Sequence, residues 1–365
     1  KNGLCFFGVS TAPEFGLSLA SEPAIGPNCQ NPLDKNLTPG GSSGGAAAAA
    51  FAGAKQVDLY ILHPHERVSP VQRLFMTTTG AENVHNLAVD GDFDDCQALV
   101  KTMFADKAFA RDVQLSGVNS INWARIAAQS VYYAAAQAAL GPERPLRFVV
   151  PSGNMGDAFA GYVAARCGLL AGFEIVCAVN ENKTLNTLLE QGRMHREQAV
   201  ATPSPAMDIS VPSNFERLMF EVSGRDGDQV RRTYEQYKQA GIADLPDSVR
   251  GPLGCAGFSS AIVSNADTLR EMRLFKEETG ELICPHTAVG TAVARDLPQI
   301  EACTVVLATA HAAKFPETVL EATGDDAPLP QRCQALRDKG EVFERVANDI
   351  NAVKDLIRAN MIAET

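Results

Sequence analysis

The feature that most narrows the fold is an alternation of short apolar runs with helical stretches along most of the chain. Residues 57–62, 84–89, 146–150, 173–179 and 304–307 read as strands, and residues 123–139, 158–167, 215–222 and 229–240 carry helical periodicity between them. A strand that returns to its sheet through a helix pairs parallel to its predecessor. The pattern therefore predicts an α/β protein with helices on both faces of mainly parallel sheets. An Ala-rich helix is expected from Ala46, and residues 342–359 read as a terminal helix behind the Pro-containing connection 325–330. Residues 1–45, rich in Gly, Pro, Asn and Ser, are expected to be loop-dominated.

Such layers need core-forming residues, and 365 residues at 45% hydrophobic and 21% charged supply enough for two domains. A net charge of -11 argues against a nucleic-acid or membrane-surface partner, while leaving room for a local basic pocket. Nine cysteines without Cys-x-x-Cys spacing fit reduced thiols, and with them a cytoplasmic location, better than a disulfide framework. The longest apolar run, residues 45–54, falls short of the roughly 20 residues that cross a bilayer, so no membrane helix is expected. The opening residues, Lys1-Asn2-Gly3-Leu4, have neither Met nor the pattern of a secretion signal and read as the middle of something longer.

Two glycine-rich loops are candidates for anion binding. Pro151-Ser152-Gly153-Asn154-Met155-Gly156-Asp157 lies between a predicted strand and a predicted helix, where free backbone N–H groups and the helix dipole favour a phosphate. Its plainer reading is a tight turn. Gly40-Gly41-Ser42-Ser43-Gly44-Gly45 also opens a helix and is either a second anion loop or a flexible turn of small residues. Asn119-Ser120-Ile121-Asn122-Trp123-Ala124-Arg125 sets two amides, a hydroxyl and a guanidinium at a helix start, suited to a phosphomonoester or to capping and packing. Thr309, His311 and Lys314 follow the strand 304–307, and ligands collect at the carboxyl ends of such strands.

Other polar groupings are weaker. Gly91-Asp92-Phe93-Asp94-Asp95 reads as a loop and helix N-cap rather than a cation site. His63-x-His65 lacks a third ligand, so no metal site is expected. No Gly-x-Ser-x-Gly elbow stands in a strand-to-helix context, which leaves a Ser-His-Asp hydrolase without support.

From Ala46 to the C-terminus the motifs, in order, resemble threonine synthase of the longer, microbial and fungal type. They are Leu62-His63-Pro64, Val68-Ser69-Pro70-Val71-Gln72, Asn83-Val84-His85, residues 91–101, Asn119 to Arg125, Pro151 to Asp157, residues 202–209, Asn214-Phe215-Glu216-Arg217, residues 285–290 and Thr309 to Phe315. The resemblance implies a fold-type-II pyridoxal-phosphate (PLP) enzyme, similar to tryptophan synthase β. It would have a small α/β domain at residues 46–135 and a large α/β PLP-binding domain at residues 136–365, the N-terminal part of the large domain missing or replaced. It implies that Gly153, Asn154, Met155, Gly156 and Asp157 hold the cofactor phosphate and that Thr309 lies against the pyridine nitrogen. Ser120, Asn122, Arg125 and Lys314 would hold the phosphate of a small phosphorylated amino acid. The implied reaction turns O-phospho-L-homoserine and water into L-threonine and phosphate, a carbon–oxygen lyase step in threonine biosynthesis.

The family's Schiff-base lysine stands in a Phe-Lys-Asp segment that nothing in this sequence matches. Lys1, Lys35 and Lys55 lack that context, and Ser42 stands where the family's Thr-Ser-Gly-Asp-Thr-Gly loop has its Asp. The catalytic lysine is thus unassigned, and impaired turnover or a catalytically inactive fusion is expected. Residues 1–45 instead resemble the amidase-signature hydrolases, through Pro13-Glu14-Phe15-Gly16 and Thr38-Pro39-Gly40-Gly41-Ser42-Ser43-Gly44-Gly45, with Ser42 as the bridging serine. The remainder of that family's Ser-Ser-Lys triad is not in the chain, so an amidase fragment joined to the longer segment is the alternative expectation.

Overall fold

A computed structural model describes residues 58–68, 70–78, 82–115 and 123–361. The Ala46 helix, the Gly40–Gly45 loop, Ser42, Ser43, Ser120 and Asn122 lie outside the described residues. Nine strands are described: β1 Leu59–Pro64, β2 Val84–Val89, β3 Leu146–Pro151, β4 Glu174–Val179, β5 Arg193–His195, β6 Ile242–Asp244, β7 Phe258–Ile262, β8 Cys303–Val306 and β9 Glu344–Val346. They form a parallel sheet β1-β2-β9, a parallel sheet β7-β4-β3-β8 and an antiparallel pair β5-β6. The predicted α/β class with mainly parallel sheets is the class observed.

The chain divides into two compact units, which among the described residues are 58–115 with 328–361, and 123–327. The expected division placed residues 328–365 with the large domain and carried the small one to residue 135. In the first unit, Leu87, Val89, Cys96, Leu99, Met103 and Phe109 pack with Val346, Val353 and Ile357, so the C-terminal segment completes a core begun by β2. Residues 342–359 are therefore not one helix: β9 pairs with β2, Val89 opposite Val346, and the helix runs only over Ile350–Met361. Apolar residues at 342, 346, 350, 353 and 357 keep helical spacing through the strand, and pairing with β2 overrides that local signal. The acidic segment at residues 91–95 is a capping box, the Asp92 carboxylate accepting from Asp95 N–H and the Asp95 carboxylate from Asp92 N–H.

In the second unit β3 is buried along its whole length, as a strand covered on both faces must be. Alternate residues serve opposite layers. Phe148, Val150, Ile175, Cys177 and Val179 pack with Ile126, Tyr133, Phe159 and Leu218 from the helices Trp123–Leu140, Gly156–Arg166 and Phe215–Val222. Val149, Val176 and Ala178 pack on the other face with Val289 and Val293 of the helix Pro285–Asp296. Gly161 makes the first layer close: a Cβ there would stand 2.5 Å from Tyr133 Cε1 and 2.6 Å from Ile175 Cδ1. Gly161→Ala is expected to lower stability by about 1–3 kcal/mol, read as a lower urea midpoint at unchanged slope. Parent-like stability would mean that both side chains yield without cost.

Candidate functional site

Parallel pairing brings the carboxyl ends of neighbouring strands together. Val149 of β3 lies opposite Val306 of β8, and Leu307 N–H donates to Val149 O at 3.0 Å, so the segments following both strands emerge at one sheet edge. The segment after β3 is Ser152-Gly153-Asn154-Met155, leading into the helix Gly156–Arg166. Met155 sits in the left-handed region (φ 61, ψ 13), and its side chain caps none of the helix N–H groups. Without a side-chain cap, the first-turn donors face the loop and are available to an anion.

Gly153 is required by close backbone approach, since a Cβ would lie 2.9 Å from Met207 Cα and 2.9 Å from Ile209 Cγ1. Residues 207–209 are themselves fixed through Asp208. Its Oδ1 accepts from Asn180 Nδ2 (2.8 Å), Asn182 Nδ2 (2.8 Å) and Thr202 Oγ1 (2.6 Å), and its Oδ2 from Thr202 N–H (3.0 Å). Asn154 is held from the other side: its Oδ1 accepts from Ser213 Oγ and N–H, and its carbonyl from Asn214 N–H. Two buried polar atoms here, Asp157 Oδ1 and Asn214 Nδ2, have no protein partner. Unpartnered groups of this kind are rare in folded proteins and mark places where a further partner fits.

The segment after β8 carries Thr309, His311 and Lys314. Thr309 N–H donates to Thr287 Oγ1 at 3.2 Å, and the Cys284 thiol lies 3.2 Å from Thr287 Oγ1 and 3.7 Å from Thr309 Oγ1. Burial pulls the Lys314 ammonium below the ordinary lysine range, and burial and then Lys314 lower His311. His311 Nδ1 accepts from Ala313 N–H. His286 is buried, accepts from Ala206 N–H at Nε2, leaves Nδ1 unpartnered, and is lowered to about 4 by burial and then by Lys314.

Of the residues singled out in the sequence, Gly153 to Asp157 therefore share one sheet edge with Thr309 and Lys314. Arg125 is exposed in the first turn of the helix Trp123–Leu140, and its charge reaches Tyr132, which also feels Asp157. Asp208, Asn214, His286 and Thr287 stand in the motifs of the resemblance without an assigned role, and Ser213 and Cys284 are left out of them. Cys284 stands directly before a helix-opening proline, a position where a side-chain acceptor is expected, but nothing local marks it as facing Thr309.

Comparison with known proteins bears on the same segments. A family model described as pyridoxal-phosphate dependent enzyme matches residues 30–245, and one described as threonine synthase, C-terminal, matches residues 287–357. Residues 30–45, including Ser42 and Ser43, fall inside the first match, so that likeness begins ahead of Ala46. The threonine synthase of Pseudomonas aeruginosa is 40% identical over 324 residues, covering 87% of this chain and 69% of the relative. That of Saccharomyces cerevisiae is 36% identical over 353 residues, covering 88% and 68%. The crystal structure of PLP-bound threonine synthase from Brucella melitensis superposes with a TM-score of 0.80 at 43% identity, covering 86% of this chain and 68% of that one.

Asp157 gives the site a pH signature. Burial raises its carboxyl to about 7, against a pull from Tyr133 in the other direction. The helix N-terminus also favours the anion, by roughly 0.3–1 kcal/mol, and burial outweighs it. The folded chain thus binds a proton that the unfolded chain has lost between about pH 4 and about pH 7. Stability is highest below that window, falls as pH rises through it, and is flat above. Asp157→Asn is expected to remove this slope, followed as urea midpoints from pH 4 to pH 8. An unaltered slope would assign the titration to another group.

Proposed function

We propose, from the premise that the chain belongs to the threonine synthase family of pyridoxal-phosphate-dependent enzymes, that its second unit holds PLP and is built for the conversion of O-phospho-L-homoserine and water to L-threonine and phosphate. One observation carries this: an uncapped helix start behind a glycine that only close backbone approach explains, beside the segment with Thr309 that follows the neighbouring strand β8. The donor set suits the cofactor. The backbone N–H groups of residues 153–157 would take its phosphate, with Asn214 Nδ2 a spare buried donor behind them. Thr309, neutral and half-buried, would meet the ring nitrogen as a hydroxyl rather than a carboxylate. PLP, when bound, supplies the electron sink of the reaction.

Lys314 and Arg125, with Ser120 and Asn122, are the proposed holders of the substrate phosphate. Burial of Lys314 strengthens a cation's hold on a phosphate by excluding water from the pair. The polypeptide of 365 residues itself is expected to turn over little. No Phe-Lys-Asp segment is present in it, and proton transfer without a positioned amine loses orders of magnitude in rate. For an amidase role of Ser42 and Ser43 no observation speaks, and residues 30–45 lie within the PLP-family match.

The test begins with purified protein and PLP. Binding is expected to appear in the absorbance, to be lost on dialysis and to leave no lysine trapped by borohydride, with little phosphate released from O-phosphohomoserine. A trapped Lys35 or Lys55 would overturn the impaired reading. Absence of any PLP binding would overturn the functional one. Gly153→Ala should weaken PLP at least about tenfold, or about 1.4 kcal/mol, in an equilibrium absorbance titration.

A further inference from the structure

The contacts around Thr309 leave few ways to place their protons. Thr287 Oγ1 accepts from Thr309 N–H at 3.2 Å. Thr287 is buried, and the acceptor within reach of its own hydroxyl proton is Cys284 Sγ at 3.2 Å. A buried hydroxyl that failed to donate there would lose a hydrogen bond and gain nothing. Cys284, fully buried, also accepts from Thr287 N–H at 3.4 Å as the cap of the helix Pro285–Asp296. With its sulfur accepting from both Thr287 groups, its single S–H is left for Thr309 Oγ1 at 3.7 Å. Each group then donates once around the ring, from Thr309 N–H through Thr287 O–H to Cys284 S–H and back to Thr309 Oγ1. The proton of the Thr309 hydroxyl is the one that the ring does not use.

We infer that Cys284 is a positioning residue: by donating to Thr309 Oγ1 it turns the Thr309 O–H outward as a donor, so that the site selects a ligand whose facing atom is a bare acceptor, such as an unprotonated aromatic nitrogen. The inference rests on the proposed placing of the PLP ring at Thr309 and adds to it the residue that sets the sense of the hydrogen bond. Chains of donors polarise one another, so the thiol also strengthens the bond that Thr309 makes. The charged and titratable groups nearby are His286 beside Cys284, His311 and Lys314 on the segment after β8, and Asp157 after β3. Burial and then Lys314 pull both histidines below the ordinary range, which disfavours an imidazolium beside the ring nitrogen.

The test uses pyridoxine 5′-phosphate, which carries the same ring nitrogen and phosphate but no aldehyde, so that no lysine is needed. Its absorbance reports protonation of the ring nitrogen. Bound to the full chain, the midpoint of the pH titration should lie below that of the free compound. Cys284→Ala removes both the helix cap and the donation to Thr309. Cys284→Ser keeps a good cap but retracts the donor, because the C–O bond is shorter than C–S. Both variants are expected to raise the midpoint by about half a pH unit or more toward the free value. Only Cys284→Ala should lose thermal stability. A midpoint that shifts in Cys284→Ala alone, in step with stability, would make the role merely structural and overturn the inference; so would an unchanged midpoint in folded Cys284→Ser. Failure of the parent chain to bind the probe would bring down the PLP reading itself, and this inference with it.

Discussion

The site depends on one pairing, that of β3 with β8. Because the strands are parallel and in register at Val149 and Val306, whatever the sequence places two to five residues beyond either strand is delivered to the same edge. Antiparallel pairing would have sent the two segments to opposite ends of the sheet. The cost falls on β3, an inner strand that must be covered on both faces, which is why it has no exposed position and why helices line each side. Fold and site are in this sense the same problem: the apolar runs that build the core also fix where the polar segments end up.

The polar layer behind the edge is stiffened by dipoles rather than ion pairs. Four neutral donors satisfy the Asp208 carboxylate, and they come from three separate places, Asn180, Asn182 and Thr202. Hydrogen bonds to a charged group contribute about 1.5–3 kcal/mol each, against about 1 for neutral pairs, so this one carboxylate ties the end of β4 firmly to the segment that backs Gly153. Ser213 and Asn214 do the same for Asn154 with neutral partners. A glycine held between two such fixed segments has little room to move.

Strands β2, β3, β4 and β8 were legible from apolar run length, and the Ser152–Asp157 loop from its place between strand and helix. What the sequence could not display was distance in space between elements far apart in order. Cys284 and Thr309 are separated by 25 residues, and a cysteine before Pro285 has the look of a capping residue, which it also is. Asp208 lies in a motif, residues 202–209, whose resemblance gives the residue no role. Residues 342–359 misled for a different reason: their apolar spacing is truly helical, and only the free edge of β2 makes a strand of residues 344–346. Short β7, with exposed Ser259 and Ile262, has neither the apolar run nor the alternation by which strands are read.

The polar groups and backbone at the start of the helix Gly156–Arg166 weigh on the stability of the fold. Asp157 Oδ1 and Asn214 Nδ2 are both buried without partners, and Met155 is held left-handed with no cap on the helix behind it. Each buried unpartnered group costs about 1–3 kcal/mol, and a strained non-glycine residue about 1–3 more, which is a large part of the 5–15 kcal/mol that a domain has in hand. A ligand at 100 times its dissociation constant returns about 2.7 kcal/mol to the folded state. An anion bound at this loop would thus couple folding to binding. A covalent lysine would add commitment and proton transfer to the site proposed at the segments that follow β3 and β8.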